Sequence, residues 1–287
     1  MVDAPSLPVH VNHTDLRWGQ ALDVSGRAAG GRAGDPVEML YRFQAGPWSV
    51  VGKGVTGSGG RFRLRTRLQR SGQIRVIAAP GTGTAITAST LDTPLSGVTP
   101  GGQRVNIAGH LIPSFRDLNV LEGQRATVTG DLQPAIGGRR VNLQVRGSRG
   151  WRTIGRTRTN RSGGFRMRYR SDGLGSHLVR LDFSGDSVNA YAHRVLGWLN
   201  TYHPAVASYY DLDGTTACGE QLNGGTLGVA NLSLPCGTMV TLRYDGRSVR
   251  VPVIDRGPYV GGREYDLTVA TKEALGFGDL GTLWATA

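Results

Sequence analysis

The sequence predicts an all-β protein, and three observations support this prediction. The 287 residues include 44 glycines and 13 prolines, a composition that suits many tight turns between short strands. Segments such as LDVSG, ATVTG and VNLQV alternate apolar and polar residues with the period of two that is typical of half-buried strands. Helical periodicity is absent from the first two hundred residues. A chain of this length has room for two or three domains with sizeable cores.

An internal repeat organises the first two hundred residues. The segments GQALDVSG, WSVVGKGVT and GGRFRLRTR of residues 19–67 return as GQRATVTG, WRTIGRTRT and GGFRMRYR in residues 123–170. A repeat of about 100 residues made of short strands indicates a duplicated domain. We therefore predict two immunoglobulin-like β-sandwiches, over residues 1–92 and 103–196. Equivalent positions are Gly19, Gly26, Val37, Trp48, Gly52, Thr56 and Phe62 in the first copy and Gly123, Gly130, Val141, Trp151, Gly155, Thr159 and Phe165 in the second.

Two connections separate the predicted domains. The stretch from Leu91 to Gly102 is rich in Pro, Gly, Ser and Thr, and it is expected to link the two sandwiches. The stretch from Val195 to Ala205 contains Trp198 and Tyr202, and it leads into a third domain at residues 205–287.

The charge of the chain is unevenly distributed. Residues 1–204 hold 27 Lys and Arg against 12 Asp and Glu, a net charge of +15, whereas residues 205–287 hold 6 against 9, a net charge of −3. Arginine alternates with apolar residues in one strand of each repeat, which predicts a basic face exposed to solvent. These arginines are Arg61, Arg63, Arg65 and Arg67 in the first repeat and Arg166, Arg168 and Arg170 in the second.

The basic faces permit two interpretations. The first interpretation requires no ligand, because charge on a strand keeps it soluble and prevents edge-to-edge pairing. The alternative is that the faces bind an anionic polymer. Nucleic acid is not the expected partner, because the sequence holds no recognition helix, zinc finger or base-stacking motif.

The last third of the chain has a different pattern. Strands are predicted at Thr238–Tyr244, Ser248–Ile254 and Gly281–Ala285, and one short helix at Leu267–Leu275. Thr268 is the candidate cap of this helix, and Gly276 is its expected end.

The two cysteines, Cys218 and Cys236, both lie in this last segment. Neither belongs to a CxxC motif and no histidine cluster accompanies them, so we expect no metal site and no cofactor. Two cysteines in one small exported domain favour a disulfide, whereas a cytosolic protein would keep free thiols.

Two carboxylates of the same segment are candidate catalytic groups. Asp255 ends an apolar strand just before a Gly-Pro turn, and Asp266 stands 11 residues later, before the predicted helix. Glycan cleavage needs a proton donor to the leaving oxygen, often with a second carboxylate. Equally, Asp255 can pair with Arg256 or accept from turn N–H groups, and Asp266 can cap the helix. The residues alone leave both interpretations open.

Five sequence blocks carry a resemblance to a known family. They are ASYY (207–210), TACGEQL (216–222), LPCGT (234–238), VPVIDRGPY (251–259) and REYDLT (263–268). In these blocks the segment resembles the rare-lipoprotein-A family, which includes septal lytic transglycosylases, and more distantly the first domain of expansins. The resemblance covers under a third of the chain. It implies a six-stranded double-psi β-barrel with one short helix and a surface cleft that acts on peptidoglycan glycan strands.

The resemblance also implies roles for individual residues. Asp255 would be the general acid/base and Asp266 a second catalytic carboxylate. The residues expected to bind substrate are Tyr209, Asn231, Arg256, Gly257 and Tyr259. Asn231 is a departure from the family, which usually has a histidine in the block before LPxGT. An amide cannot exchange a proton near neutral pH, although it can bond a sugar or orient Asp255.

The sequence therefore supports an exported protein of the cell wall, with three functions open. The first is lytic transglycosylase-like cleavage of peptidoglycan. The second is expansin-like binding or loosening of the wall without cleavage, with anionic wall polymers bound by the basic strands. The third is a structural or partner-binding role carried by the sandwiches. The start, Met1 to Pro5, does not resemble a signal peptide, so we expect a mature form, and no apolar run is long enough for a membrane span.

Overall fold

The computed structural model describes Leu7 and residues 9–78, 102–171 and 173–287. The linker predicted at Leu91–Gly102 lies outside these ranges except for its last residue. Within these ranges, the first unit has eight short strands and a 3₁₀ turn at Ser58–Gly60. The strands are β1 (Val9–Val11), β2 (Asp15–Leu16), β3 (Leu22–Arg27), β4 (Pro36–Arg42), β5 (Ser49–Val55), β6 (Arg61–Thr66), β7 (Gly72–Ala78) and β8 (Gln103–Ile107).

The second unit repeats this set of strands. They are β9 (His110–Asp117), β10 (Asn119–Leu121), β11 (Arg125–Gln133), β12 (Arg140–Gly147), β13 (Gly150–Arg158), β14 (Gly164–Arg170), β15 (Gly175–Phe183) and the first part of β16 (Ala192–Tyr210).

The two units have the same strand order. Each has a three-stranded sheet, β1-β3-β6 in the first and β9-β11-β14 in the second. Each also has a second sheet, in the order β2-β8-β7-β4-β5 or β10-β16-β15-β12-β13. Even the register shift between the fourth and fifth strands recurs, at Met39/Leu40 and at Leu143/Gln144. The molecule thus contains two β-sandwich units of one topology, while their kinship with immunoglobulin domains stays a prediction.

The cores lie between the two sheets of each unit. Leu22, Val37 and Met39 are fully buried in the first, and Val141 and Leu181 in the second. In the basic strands the apolar residues face these cores and the arginines between them are exposed, as the alternation predicts.

The third unit is a closed barrel. Its strands are the last part of β16, with β19 (Val229–Ala230), β20 (Met239–Tyr244), β21 (Arg247–Asp255), β22 (Tyr265–Thr268) and β23 (Leu280–Ala285). They are paired in the ring order β16-β22-β19-β21-β20-β23, and β23 pairs again with β16. Outside the ring, β17 (Gly214–Thr215) and β18 (Gln221–Leu222) form a small ladder. The predicted six-stranded barrel is confirmed.

The predicted helix is confirmed, but its start is corrected. Helix α1 spans Val269–Leu275; the Thr268 hydroxyl accepts from the Thr271 N–H, and Gly276 ends the helix in the left-handed conformation. Leu267, expected in the helix, is a fully buried residue of β22. Since apolar residues at the strand end and in the first helical turn follow one another directly, the sequence pattern merged the two elements.

One continuous strand joins the second sandwich to the barrel. The stretch from Val195 to Ala205, expected to be a connection, lies wholly within β16. Ring contact between Tyr202 and Trp284, and a 2.7 Å bond between the Ser176 and Thr241 hydroxyls, add packing across the junction. The barrel is therefore held directly against the second sandwich.

Candidate functional site

Strand pairing brings the two candidate carboxylates to one place on the barrel. Ala230 of β19 pairs with Asp255 of β21 on one side and with Asp266 of β22 on the other. Two strand spacings amount to about 9.5 Å between the backbones of the two aspartates. The residues singled out by the sequence are therefore neighbours across a single strand.

Asp255 is held by backbone groups through one oxygen. Its Oδ1 accepts from the N–H groups of Ala217 and Arg256, both at 2.8 Å. Within the described part of the chain, Oδ2 has no hydrogen-bond partner, and Asp255 forms no ion pair. The side chain is only partly buried. The carboxylate is thus fixed in orientation while one oxygen stays available.

Asp266 is held by a side-chain relay. The Ser208 hydroxyl donates to Asp266 Oδ1, and the same hydroxyl accepts from Arg263 Nη1 at 3.1 Å. Ser208 itself is buried, and its register partner in β22 is Asp266. Arg263 therefore acts on Asp266 through a neutral hydroxyl.

The charges of both carboxylates act on the phenol of Tyr210. Tyr210 is two residues beyond Ser208 on the same face of β16. Burial raises the pKa of Tyr210 well above its usual value, and the charges of Asp255 and Asp266 raise it further. Tyr210 therefore remains protonated, and available as a donor, throughout the neutral pH range.

Arg256 supports the rim of the site. Its Nη1 donates to the carbonyl oxygens of Asn231 at 2.8 Å and Leu234 at 2.7 Å, and its Nη2 contacts Cys236 Sγ at 3.1 Å. The guanidinium does not pair with Asp255. The sequence predicted that Arg256 binds substrate, which stays a prediction; the contacts here show that it supports the turn beside Asp255.

Asn231 has a similar supporting position. The residue is 4% exposed; its Oδ1 accepts from the N–H groups of Ser233 and Leu234, and its Nδ2 donates to the Glu264 carbonyl. Its backbone N–H donates to the Asp255 carbonyl at 3.2 Å. Both ends of the amide are thus engaged by protein groups, which favours orientation of Asp255 over contact with a sugar.

The predicted disulfide between Cys218 and Cys236 is confirmed. It ties the segment that supplies the Ala217 N–H to the segment that Arg256 holds. The disulfide and Arg256 therefore brace the same side of Asp255.

The remaining predicted substrate residues differ in accessibility. Tyr259 is 81% exposed at the rim. Gly257 has φ +138°, and a Cβ there would lie 3.9 Å from Asp266 Oδ2, so the residue borders the carboxylate in a conformation that favours glycine. Tyr209 is partly buried against the barrel core, and the Lys272 ammonium lies 3.5 Å from its ring centroid. Of the three, Tyr259 offers the more open surface to a ligand.

Two residues of the site were not singled out from the sequence, Ser208 and Arg263. For Tyr210, the sequence left open a core position or a platform for a sugar ring, and Tyr209 was preferred as the platform. The alternation in ASYY puts Ser208 and Tyr210 on one face of a strand. The sequence does not show that the neighbouring strand on this face carries Asp266. Among the described residues, no group of three or more His, Cys, Asp or Glu is placed to hold a metal ion. No helix in the described ranges is long and apolar enough to cross a membrane.

The barrel sequence matches a known family. Residues 204–284 match the protein-family model described as lytic transglycolase. The chain is 44% identical over 63 residues to the probable endolytic peptidoglycan transglycosylase RlpA of Synechocystis, covering 21% of this chain and 20% of that protein. It is 35% identical over 100 residues to the corresponding Nostoc protein, covering 32% and 27%.

A further relative is the endolytic peptidoglycan transglycosylase RlpA of Pseudomonas aeruginosa, 38% identical over 111 residues, with 33% of this chain and 32% of that protein covered. The matches thus span about a third or less of these relatives. Together with the closed six-stranded ring, they show that the C-terminal domain is an RlpA-like double-psi β-barrel.

Proposed function

We propose that the barrel cleaves peptidoglycan glycan strands as a lytic transglycosylase, with Asp255 as the general acid and base. The observation that carries the proposal is the asymmetry of the Asp255 carboxylate, which has one oxygen fixed by two N–H groups and the other without a partner. The names of the matched relatives support the reaction class.

One carboxyl group is sufficient for this reaction. Asp255 gives its proton to the leaving glycosidic oxygen as the bond to the sugar C1 breaks. The 6-hydroxyl of the same sugar then attacks C1, and its proton returns to Asp255. The products are a new 4-hydroxyl end and a 1,6-anhydro ring, and no water is consumed.

Asp266 has a role that requires charge rather than proton transfer. Positive charge develops near C1 as the leaving oxygen departs. A carboxylate two strands from Asp255, oriented by Ser208, is suited to stabilise that charge. Tyr259 is proposed to contact the sugar at the rim, because its ring is exposed beside this site.

The proposal is tested with purified glycan strands free of peptides. We expect Asp255→Asn to reduce the release of anhydro-ended products by at least about 100-fold, the scale of a lost general acid. Asp245→Asn is the matched control, because Asp245 precedes β21 at the opposite end of that strand, in a turn with φ +42° that asparagine accepts. Unchanged release by the Asp255 variant contradicts the assignment.

Asn231 favours a second candidate function, which is binding or loosening of the wall without cleavage. An amide stands where the family usually has a titratable histidine, and here it is consumed by turn contacts. In this case the exported protein is retained on the wall by the barrel, and by anionic wall polymers at the basic strands. We then expect the protein to be retained on insoluble wall, with retention that weakens as salt is added, and to release no soluble products at any pH.

A further inference from the structure

The hydroxyl group of Tyr210 is buried without a hydrogen-bond partner. A buried polar group in this state costs free energy, on the order of 1–3 kcal/mol. Phenylalanine would fill the same space without that cost. An unpartnered buried hydroxyl therefore invites a functional explanation.

Strand geometry places Tyr210 on the face of β16 that contacts Asp266, and Asp266 neighbours Asp255 across β19. Ser208, two residues earlier on the same face of β16, already contacts Asp266. Tyr210 pairs in register with Thr268, two residues beyond Asp266 in β22. Asp255 and Asp266 are the charged groups whose fields act on the phenol.

We propose that Tyr210 is a positioning residue, whose hydroxyl donates to the free Oδ2 of Asp255 when that carboxylate is charged. Oδ1 is saturated by two N–H groups, so Oδ2 is the oxygen that carries the proton to the substrate. A donor from β16 fixes the direction in which Oδ2 points and favours its ionised form. This inference rests on the proposed function of Asp255.

Other charged groups near the pair are committed elsewhere. Arg256 holds carbonyl groups of the Asn231–Leu234 turn, and Arg263 reaches Asp266 only through Ser208. Asp266 is the remaining charge facing the phenol, and it repels the ionised form of Asp255. Tyr210 thus supplies the hydrogen-bond donor that the ionised Asp255 needs on this side.

The test compares Tyr210→Phe with Tyr265→Phe in the full chain. Tyr265 is the matched control, because its hydroxyl is also buried without a partner, while Glu264 is the charge that acts on it. Both variants are expected to keep or raise the midpoint of thermal unfolding. In Tyr210→Phe alone, we expect the alkaline limb of the pH–activity profile, where Asp255 loses the proton that it must donate, to move upward by about one pH unit, with kcat reduced more than KM.

A second readout is independent of activity. In protein with ¹³C-labelled aspartate, the titration midpoint of the Asp255 carboxyl should move to higher pH in Tyr210→Phe and stay unchanged in Tyr265→Phe. An unmoved Asp255 midpoint in the Tyr210 variant overturns the inference, whatever the activity. A moved midpoint in a protein that shows no glycan cleavage instead contradicts the proposed function and leaves the Tyr210 contact established.

Discussion

At the residue scale, the site depends on which oxygen of each carboxylate is occupied. Asp255 and Asp266 each have one oxygen engaged, the first by backbone N–H groups and the second by a hydroxyl. Backbone donors cannot be removed by mutation of the donor's side chain, whereas the Ser208 hydroxyl can. The two aspartates therefore differ in how their orientation can be tested.

Ser208→Ala removes the link between Arg263 and Asp266. We expect the free energy of unfolding to fall by about 1–2 kcal/mol, because a buried hydrogen bond is lost. Glycan cleavage should fall by about tenfold or more, since Asp266 loses its orientation. Denaturant unfolding and product release measure the two effects.

Ser176→Ala is the control for that variant. Its hydroxyl bonds Thr241 at the junction of the sandwich and the barrel. The Ser176→Ala variant should lose a similar amount of free energy of unfolding, while its glycan cleavage stays unchanged. Equal loss of cleavage in both variants would show that Ser208 acts through stability alone.

At the element scale, four barrel strands (β16, β19, β21 and β22) and one disulfide-tied loop form the site. The sequence was sufficient to predict strands β20, β21 and β23 to within one residue at each end, and to predict the cap and end of α1. It did not separate β22 from α1 at Leu267. It also could not reveal the pairing of Ala230 with both aspartates, since β19 has only two residues and gives no periodicity.

The same limit applies to individual side chains. Asp255 and Asp266 were selected from motif and spacing, and pairing places them together. Ser208 and Arg263 have no local signal, because their importance comes from contacts across strands that are about 55 residues apart in sequence. Asn231 and Arg256 were expected to bind substrate, which stays a prediction; the sequence did not reveal that Asn231 Oδ1 and the Arg256 guanidinium also hold the turn from Asn231 to Cys236.

The disulfide-tied loop provides a prediction at this scale. Replacing Cys218 and Cys236 together by serine should lower the free energy of unfolding by about 3 kcal/mol, the chain-entropy value for a loop closed over 18 residues. Cleavage should fall further than the folded fraction does, because the Ala217 N–H loses its fixed position beside Asp255. Full activity of the folded variant would show that the Ala217 N–H keeps its position without the disulfide.

At the scale of the whole molecule, the two sandwiches share a topology but differ in how their basic faces are paired. In the first, Asp23 lies 3.0 Å from Arg63 and 3.8 Å from Arg65. The repeat places Thr127 at the position of Asp23, and Thr127 pairs in register with Arg168. Among the described side chains, the second face therefore has no aspartate at the position of Asp23.

This difference gives matched variants for the proposed binding of anionic polymers. Arg166→Glu with Arg168→Glu should weaken retention on an immobilised polyphosphate, and lower the slope of log affinity against log salt by about two. The equivalent pair, Arg63→Glu with Arg65→Glu, should have a smaller effect because those arginines are already paired. Equal effects, or none, contradict a specific role for the second face.

The origin of the oxygen at the cleaved end tests the central claim most directly. Glycan strands are incubated with the protein in ¹⁸O-labelled water, and the product ends are weighed by mass spectrometry. The proposed chemistry predicts ends that are one water lighter than hydrolysis products and that carry no ¹⁸O, because the sugar's own hydroxyl closes the ring. Reducing ends labelled with ¹⁸O, or the absence of any product, would contradict cleavage by the lytic transglycosylase route.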